Sequence, residues 1–343
     1  MLRNRPDRWS GLLLFAAAAL AAAVNLSASV PPLAAPAPAE AVPPAGPASA
    51  ADTPLLTFAV LSDLHVSARH PESQRLFRQA LLDYRSVKPD LDLLVLNGDL
   101  TEGAPEDYRA LRRILGEVPH APVHAVMGNH DFYGMWRQRD GHYDYGGRLS
   151  PDWSSGKAVS LFQRSFGYGA PYHHVWLRDR LFVFLSGERY RDEDGTVGED
   201  AYLSERQMIW LKHRLHEHSH RPGPKPRPVF AFIHQPLPGT VGGSSERGIV
   251  QHTELRNLLS RFPELILFTG HTHRLAGGDQ YVQGPFAMIG CSSVRRVNGA
   301  DDKPVAEARS ESLYAEVYAD RTVLTAREHV SGTWIGSPRV IRP

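Results

Sequence analysis

Seven candidate ligand side chains, Asp63, His65, Asp99, Asn129, His234, His271 and His273, are spread over five short polar motifs: Asp63-Leu64-His65, Gly98-Asp99, Gly128-Asn129-His130-Asp131, His234 and Gly270-His271-Thr272-His273. That donor set suits a pair of hard-to-borderline ions such as manganese, iron or zinc. Residues two apart in extended chain project to one side, so Asp63 and His65 can bind the same ion. Asp99 can supply a carboxylate shared between two ions, and Asn129 a neutral carbonyl oxygen. His234, His271 and His273 complete the shells, while Gly98 and Gly128 permit tight strand-to-loop turns. Two ions roughly 3.5–4 Å apart acidify a bridging water to hydroxide at neutral pH and clamp phosphate oxygens for in-line attack. The chemistry expected is therefore phosphoester hydrolysis without a protein nucleophile. The leaving alkoxide still needs a proton, and His130, adjacent to Asn129 but not required as a ligand, is placed to act as general acid. Glu102, three residues past Asp99, could orient it.

Each motif follows an apolar run. Leu55 to Leu61 reads as a strand buried on both faces, Glu72 to Val87 as a helix with Leu76, Phe77, Ala80, Leu81 and Tyr84 on one stripe, and Leu91 to Leu96 as a second strand. A helix over Glu106 to Leu115 and a strand over Val123 to Met127 repeat the pattern. Leu181 to Leu185, Val229 to Ile233 and Leu265 to Phe268 predict further strands, the last two ending at His234 and Gly270-His271. Ligand sites in open α/β sheets lie beyond the carboxyl ends of the strands, which is where the motifs fall. Ser204 with Gln207 predicts a capping box opening a helix that carries Ile209, Trp210, Leu211 and Leu215. Leu313 to Tyr318 and Thr322 to Thr325 alternate like a hairpin around Ala319-Asp320-Arg321, and the C-terminal strands are expected to complete a second sheet.

The chain of 343 residues is 42% apolar and 22% charged, enough for a large core. Its formal net charge of +1 implies neither nucleic-acid binding nor adhesion to an anionic membrane. Arg3, Arg5 and Arg8 precede an apolar stretch from Gly11 to Val24 and small residues at Ser27 to Ser29, so residues 1–29 read as a secretory signal. The stretch is shorter than the roughly 20 apolar residues of a spanning helix, although an uncleaved membrane anchor remains the alternative. Residues 30–53, rich in Ala and Pro, read as a tether, and 54–343 as the catalytic domain with its C-terminal strands. The single cysteine, Cys291, excludes an intramolecular disulfide, and a periplasmic or secreted location follows from the signal.

The ordered motif set resembles the calcineurin-like metallophosphoesterase superfamily, whose pattern is D-x-H, G-D, G-N-H-E/D, H and G-H-x-H. The G-N-H-D form and the chain size are most similar to its class III cyclic-nucleotide phosphodiesterase-like branch. The resemblance spans Leu55 to about Ser293 and implies an α/β fold of two packed mixed β-sheets flanked by helices. It also implies a first metal held by Asp63, His65, Asp99 and His273, a second held by Asp99, Asn129, His234 and His271, and His130 as the catalytic histidine. Purple acid phosphatases place a metal-binding tyrosine three residues after the bridging aspartate, where this chain has Glu102, so no tyrosinate-to-iron colour is expected.

Other residues read less sharply. The aromatic span Phe132 to Tyr172 lacks periodicity and either walls a substrate pocket or fills core. Arg247, in a Gly- and Ser-rich loop after His234, could clamp a phosphate or be an exposed loop arginine. His213, His216, His218 and His220 read as a solvated helix terminus, and Cys291 as a small buried apolar residue. A small-molecule phosphodiester is the favoured substrate, because aromatics and few arginines accompany the motifs; a monoester, or a non-catalytic metal-binding protein, are the alternatives. The sequence does not fix the oligomeric state.

Overall fold

The computed structural model describes residues 53–223, 227–245, 248–306 and 308–342. The signal and nearly all of the tether, as well as Arg247, lie outside the described residues. Among those described, no helix is long and apolar enough to cross a membrane.

Strands β1 (Leu56–Leu61), β2 (Leu93–Asn97) and β3 (Val123–Val126) pair in parallel. Between them run helices α1 (Pro71–Val87) and α2 (Pro105–Glu117). Both helices open on proline, where the missing N–H has no intrahelical partner to lose. The expected stripe of α1 is buried throughout, as are Tyr108, Leu111 and Ile114 of α2. A second sheet holds β4 (His173–Leu177), β5 (Arg180–Phe184), β6 (Val229–Phe232), β7 (Leu265–Thr269), β8 (Tyr281–Gln283) and β9 (Ala287–Gly290), in the order β4-β5-β6-β7-β9-β8. Its four central strands are parallel and its two edge strands antiparallel. Helices α4 (Glu205–His220) and α5 (His252–Leu259) cover its outer face through Leu211, Leu215, Leu255 and Leu259.

Alternation within β1 shows why that run is apolar on both sides. Phe58 and Val60 point between the sheets, and Ala59 and Leu61 point to the helix layer. Phe58 meets Phe182, Phe230, Phe232 and Phe268 edge-on, with ring centroids 5.0 to 6.1 Å apart. Burying a side chain of this size contributes roughly 1.5–3 kcal/mol, and the quadrupoles of edge-to-face rings add to it. The two-sheet α/β architecture flanked by helices is the one the resemblance implies.

Three expectations need correction. The C-terminal hairpin, β10 (Glu311–Val317) and β11 (Thr322–Glu328), does not build a sheet of its own. With β12 (Thr333–Ile341) it extends the first sheet, in the order β12-β11-β10-β1-β2-β3, because β10 pairs antiparallel with the free edge of β1. Ser204 caps α4 by accepting from the N–H of Gln207, but Gln207 does not complete a box. Its amide bonds the Ser186 carbonyl, and Glu188 accepts the Ser204 N–H instead. The span after Phe132 is also more ordered than its pattern suggests: a 3-10 turn over His130–Trp136 leads to helix α3 (Ser155–Phe166), which Ser154 caps and Gly167, at φ 76°, ends.

Candidate metal centre

The five motifs leave the carboxyl ends of β1, β2, β3, β6 and β7, and the side chains of both sheets meet at that edge. Asp63, His65, Asp99, His271 and His273 all have φ between 45° and 71°, the left-handed region that non-glycine residues avoid. Each such residue costs on the order of 1–2 kcal/mol, and a concentration of strain of this kind marks sites whose geometry the rest of the fold enforces. Glycine is required beside them for space: a Cβ on Gly128 would collide with the Asp99 carboxylate, and one on Gly98 with the His234 ring.

Asp63, His65, Asp99 and His273 present ligand atoms within 4.8 Å of one another, as do Asp99, His234 and His271. Oδ1 of Asp63 lies 3.0 Å from Nε2 of His273 and 3.7 Å from Nε2 of His234. Oδ2 of Asp99 lies 3.2 Å from Nε2 of His234 and 3.7 Å from Nε2 of His65, so this carboxylate faces both groups. Asn129 completes the second group, its Oδ1 standing 3.0 Å from Nδ1 of His271.

Proton accounting indicates what this cluster is built to hold. Nδ1 of His234 meets the Asn97 carbonyl at 2.8 Å, and Nδ1 of His273 meets the Arg296 carbonyl at 2.7 Å. A carbonyl only accepts, so these Nδ1 atoms carry the proton and a neutral ring leaves Nε2 as a bare lone pair. Nδ1 of His65 likewise faces the Glu102 carboxylate at 3.1 Å. Nε2 of His65 and Nε2 of His273 then face each other at 3.1 Å, and Nε2 of His234 is buried without a hydrogen bond. Lone pair against lone pair, and lone pair against carboxylate, is repulsive in a buried site unless a cation lies between them. The residues fit two ions with nitrogen and oxygen donors.

The electrostatics differ at one ring: burial acts downward on His234, but Asp99 and Asp63 raise it to about 9, so without an ion it takes up a second proton, which a bound ion would displace. Burial pushes the Asp63 carboxyl up, but His273 and His234 outweigh it and hold it at about 2. Asp99 is held well below the usual range against its burial, chiefly by His234 and His130. Burial, helped by His130, lowers His65 to about 4, and burial with His234 lowers His271 to about 3, so both rings are neutral and free to donate a lone pair. For His130 burial acts downward, yet Asp99 and Glu102 raise it to about 8.

Glu102 is more than a loop carboxylate. Oε2 accepts from Nδ1 of His130 at 2.9 Å, while Oε1 serves His65 and also Nη1 of Arg295 at 3.2 Å. Nε2 of His130 is thereby aimed back toward Asp99, 3.9 Å from Oδ2, and Tyr133 stacks on its ring at 3.9 Å between centroids. The remaining motif residue, Asp131, accepts from the N–H groups of Leu100, Thr101 and Gly128 and from the hydroxyls of Thr101 and Tyr108, bracing the loops after β2 and β3.

A cleft of about 410 Å³ opens beside His130, walled by Tyr133, Tyr143 and Tyr145. It also holds Arg69, Arg295 and Arg296, which corrects the expectation of few arginines: Arg69 stands four residues past His65, and Arg295 and Arg296 lie beyond the last motif. Other histidines stand elsewhere. His218 is buried against Trp176 with its Nε2 3.3 Å from the Glu264 carboxylate, unlike the solvated terminus expected, and His173 pairs with His124. Cys291 is buried, with its thiol pushed well up by that burial. Sequence reasoning also missed Glu199, which lies in an acidic, glycine-containing loop without periodicity and accepts from Nδ2 of Asn129 at 2.9 Å.

Residues 56–275 match the calcineurin-like phosphoesterase family. The chain is 22% identical over 236 residues to a probable glycerophosphodiester phosphodiesterase, GpdQ, of Arcobacter nitrofigilis, covering 63% of this chain and 71% of the relative. It is 26% identical over 230 residues to a 3',5'-cyclic-nucleotide phosphodiesterase of Nostoc sp., covering 64% and 72%. Among solved structures, a dimetal phosphatase from Danio rerio superposes with a TM-score of 0.59 at 17% identity, covering 84% of this chain and 99% of that one. A purple acid phosphatase from yellow lupin seeds gives 0.53 at 13% identity, covering 85% and 54%.

Proposed function

Because this chain belongs to the calcineurin-like phosphoesterase family and is a metal-dependent phosphoric ester hydrolase, we propose that it is an exported phosphodiesterase working with two metal ions. The observation that carries the reading is the convergence of buried imidazole nitrogens and two carboxylates into two groups whose ligand atoms lie within 4.8 Å of one another, with two imidazole nitrogens 3.1 Å apart. Asp63, His65, Asp99 and His273 would hold one ion, and Asp99, Asn129, His234 and His271 the other. Manganese, iron and zinc all suit these donors. When bound, the pair supplies a Lewis-acidic clamp for phosphate oxygens and a water that is nucleophilic at neutral pH.

The chain's own residues do the rest. His130 donates its Nε2 proton to the leaving oxygen as the P–O bond breaks, and it regains a proton from solvent. Glu102 keeps Nδ1–H paired so that Nε2 is the end turned toward Asp99 and the ion site. A diester carries one negative charge and needs room for two substituents, which an open cleft with three tyrosines provides. Both similar curated proteins bear phosphodiesterase names. Arg295 has its charge offset by the Glu102 carboxylate, and Arg69 is anchored through Nη1 to the Gly141 carbonyl. The monoester reading draws support from one observation, Arg296, which is exposed at the cleft. Turnover of bis-p-nitrophenyl phosphate should exceed that of p-nitrophenyl phosphate with manganese present; a clear monoester preference would reverse the assignment.

The basic and apolar character of residues 1–29 supports export, with residues 30–53 as a spacer and an uncleaved N-terminus as the alternative tether. Mass measurement of the protein recovered outside the cytoplasm should give a chain beginning near Ser29. Recovery of the whole chain from the cytoplasm would refute export.

A further inference from the structure

We propose that Glu199 is a positioning residue for the second ion, holding the Asn129 amide with its oxygen toward His271 and steadying His130 through Tyr133. The inference rests on the two-ion reading above. Oε2 of Glu199 accepts from Nδ2 of Asn129 at 2.9 Å and from the Tyr133 hydroxyl at 3.0 Å. Oε1 accepts from the Tyr190 hydroxyl at 2.8 Å and from Arg191 at 2.6 Å. A carboxylate is acceptor-only, so it selects the amino end of Asn129 and leaves Oδ1 as the end turned to the site. Without it, rotation of the amide would offer an NH2 group to a cation, which repels it.

Glu199 is itself held in place. Its carbonyl accepts from Nε2 of Gln235, the residue after His234. Its neighbour Asp200 accepts from the Gly248 N–H, and the Ala201 N–H bonds the Gly248 carbonyl. The loop between β5 and α4 is therefore fastened to the segment that follows β6, and Glu199 spans from that segment to the loop after β3. Tyr133, fixed at its hydroxyl by Glu199, lies with its ring on His130 at an interplanar angle of 29°. Glu199 thus ties Asn129 and, through Tyr133, His130 by its carboxylate, and the neighbour of His234 by its backbone carbonyl.

Outer partners of metal ligands typically change metal affinity by roughly 10- to 100-fold when removed. The test is calorimetric titration of Mn(II) into the chelator-stripped full chain, as wild type, His271→Ala, Glu199→Ala and Glu199→Gln. Wild type should bind two ions, and His271→Ala should abolish one of the two events. Glu199→Ala should weaken that same event by about 10- to 100-fold and leave the other unchanged. Glu199→Gln should recover most of the loss, because its carbonyl oxygen can still accept from Asn129. If Glu199→Ala does not fold, Glu199→Asp carries the same comparison, its shorter arm leaving Asn129 out of reach. Unchanged affinity at both sites, or equal weakening of both, overturns the positioning role. A wild-type chain that binds no Mn(II) overturns the two-ion reading and this inference with it.

Discussion

Two buried clusters of histidine and aspartate stand in this molecule, and they solve the same electrostatic problem in opposite ways. Beneath α1, Asp83 accepts from Nε and Nη2 of Arg327 and from Nδ1 of His329 at 2.6 to 2.8 Å. Nε2 of His329 meets Ser312 Oγ at 2.8 Å, and Ser312 meets the Tyr84 hydroxyl at 2.7 Å. Both nitrogens of His329 are satisfied, with a donor matched to an acceptor at each step, so the cluster is complete as protein. At the strand tips the same residue types have Nε2 atoms facing one another and facing carboxylates. A hydrogen-bonded histidine–aspartate pair is structure; an unmatched one is a request for a cation.

This contrast can be broken or sharpened by experiment. The largest effect expected is on rate: His130→Ala should lower kcat by roughly 10² to 10⁴ while bound manganese, measured by elemental analysis, stays the same. An unchanged rate would remove His130 from the chemistry. In the closed cluster, His329→Ala should cost about 1–3 kcal/mol of stability by leaving Ser312 and Asp83 each short of one partner, although Arg327 still pairs Asp83, read as a lower denaturant midpoint at unchanged slope. Turnover per folded molecule should stay at the wild-type value, and a parallel loss would show the clusters to be coupled.

Smaller effects discriminate further. Free manganese at about 100 times its dissociation constant should stabilise the chain by about 2.7 kcal/mol for each site filled. The His329→Ala variant should gain the same increment, since distant sites add. An increment that vanished in the variant would contradict the independence of the two regions. The last is a pH effect. Arg327 and His329 outweigh burial and hold Asp83 at about 2 instead of its ordinary 3.8. A depressed carboxylate stabilises above its unfolded pKa, and that contribution, on the order of 2 kcal/mol, is lost as pH falls from about 4 to about 2. Asp83→Asn should lack this acid-limb loss; an identical acid limb in the variant would place the titration elsewhere.

The strands that carry the motifs were legible because parallel strands buried on both faces read as continuous apolar runs, as at Leu56–Leu61 and Leu265–Thr269. The motif residues were legible because strand ends are where an α/β fold exposes chemistry. What the sequence did not reveal was partnership across space. Glu199 sits 70 residues from Asn129, and Arg295 lies 193 residues from Glu102, with no local period to announce either. The pairing of β10 with β1 is equally non-local: alternation predicts a hairpin but not whose edge it will complete. The left-handed backbone at Asp63, His65, Asp99, His271 and His273 breaks local preference at the site itself, where such violations concentrate.

Anomalous diffraction from crystals grown with manganese tests the two-ion centre most directly. Two peaks should lie on either side of the Asp99 carboxylate, one among Asp63, His65 and His273, the other among Asn129, His234 and His271. Density without anomalous signal at these positions, from protein fully active in the same solution, would contradict it.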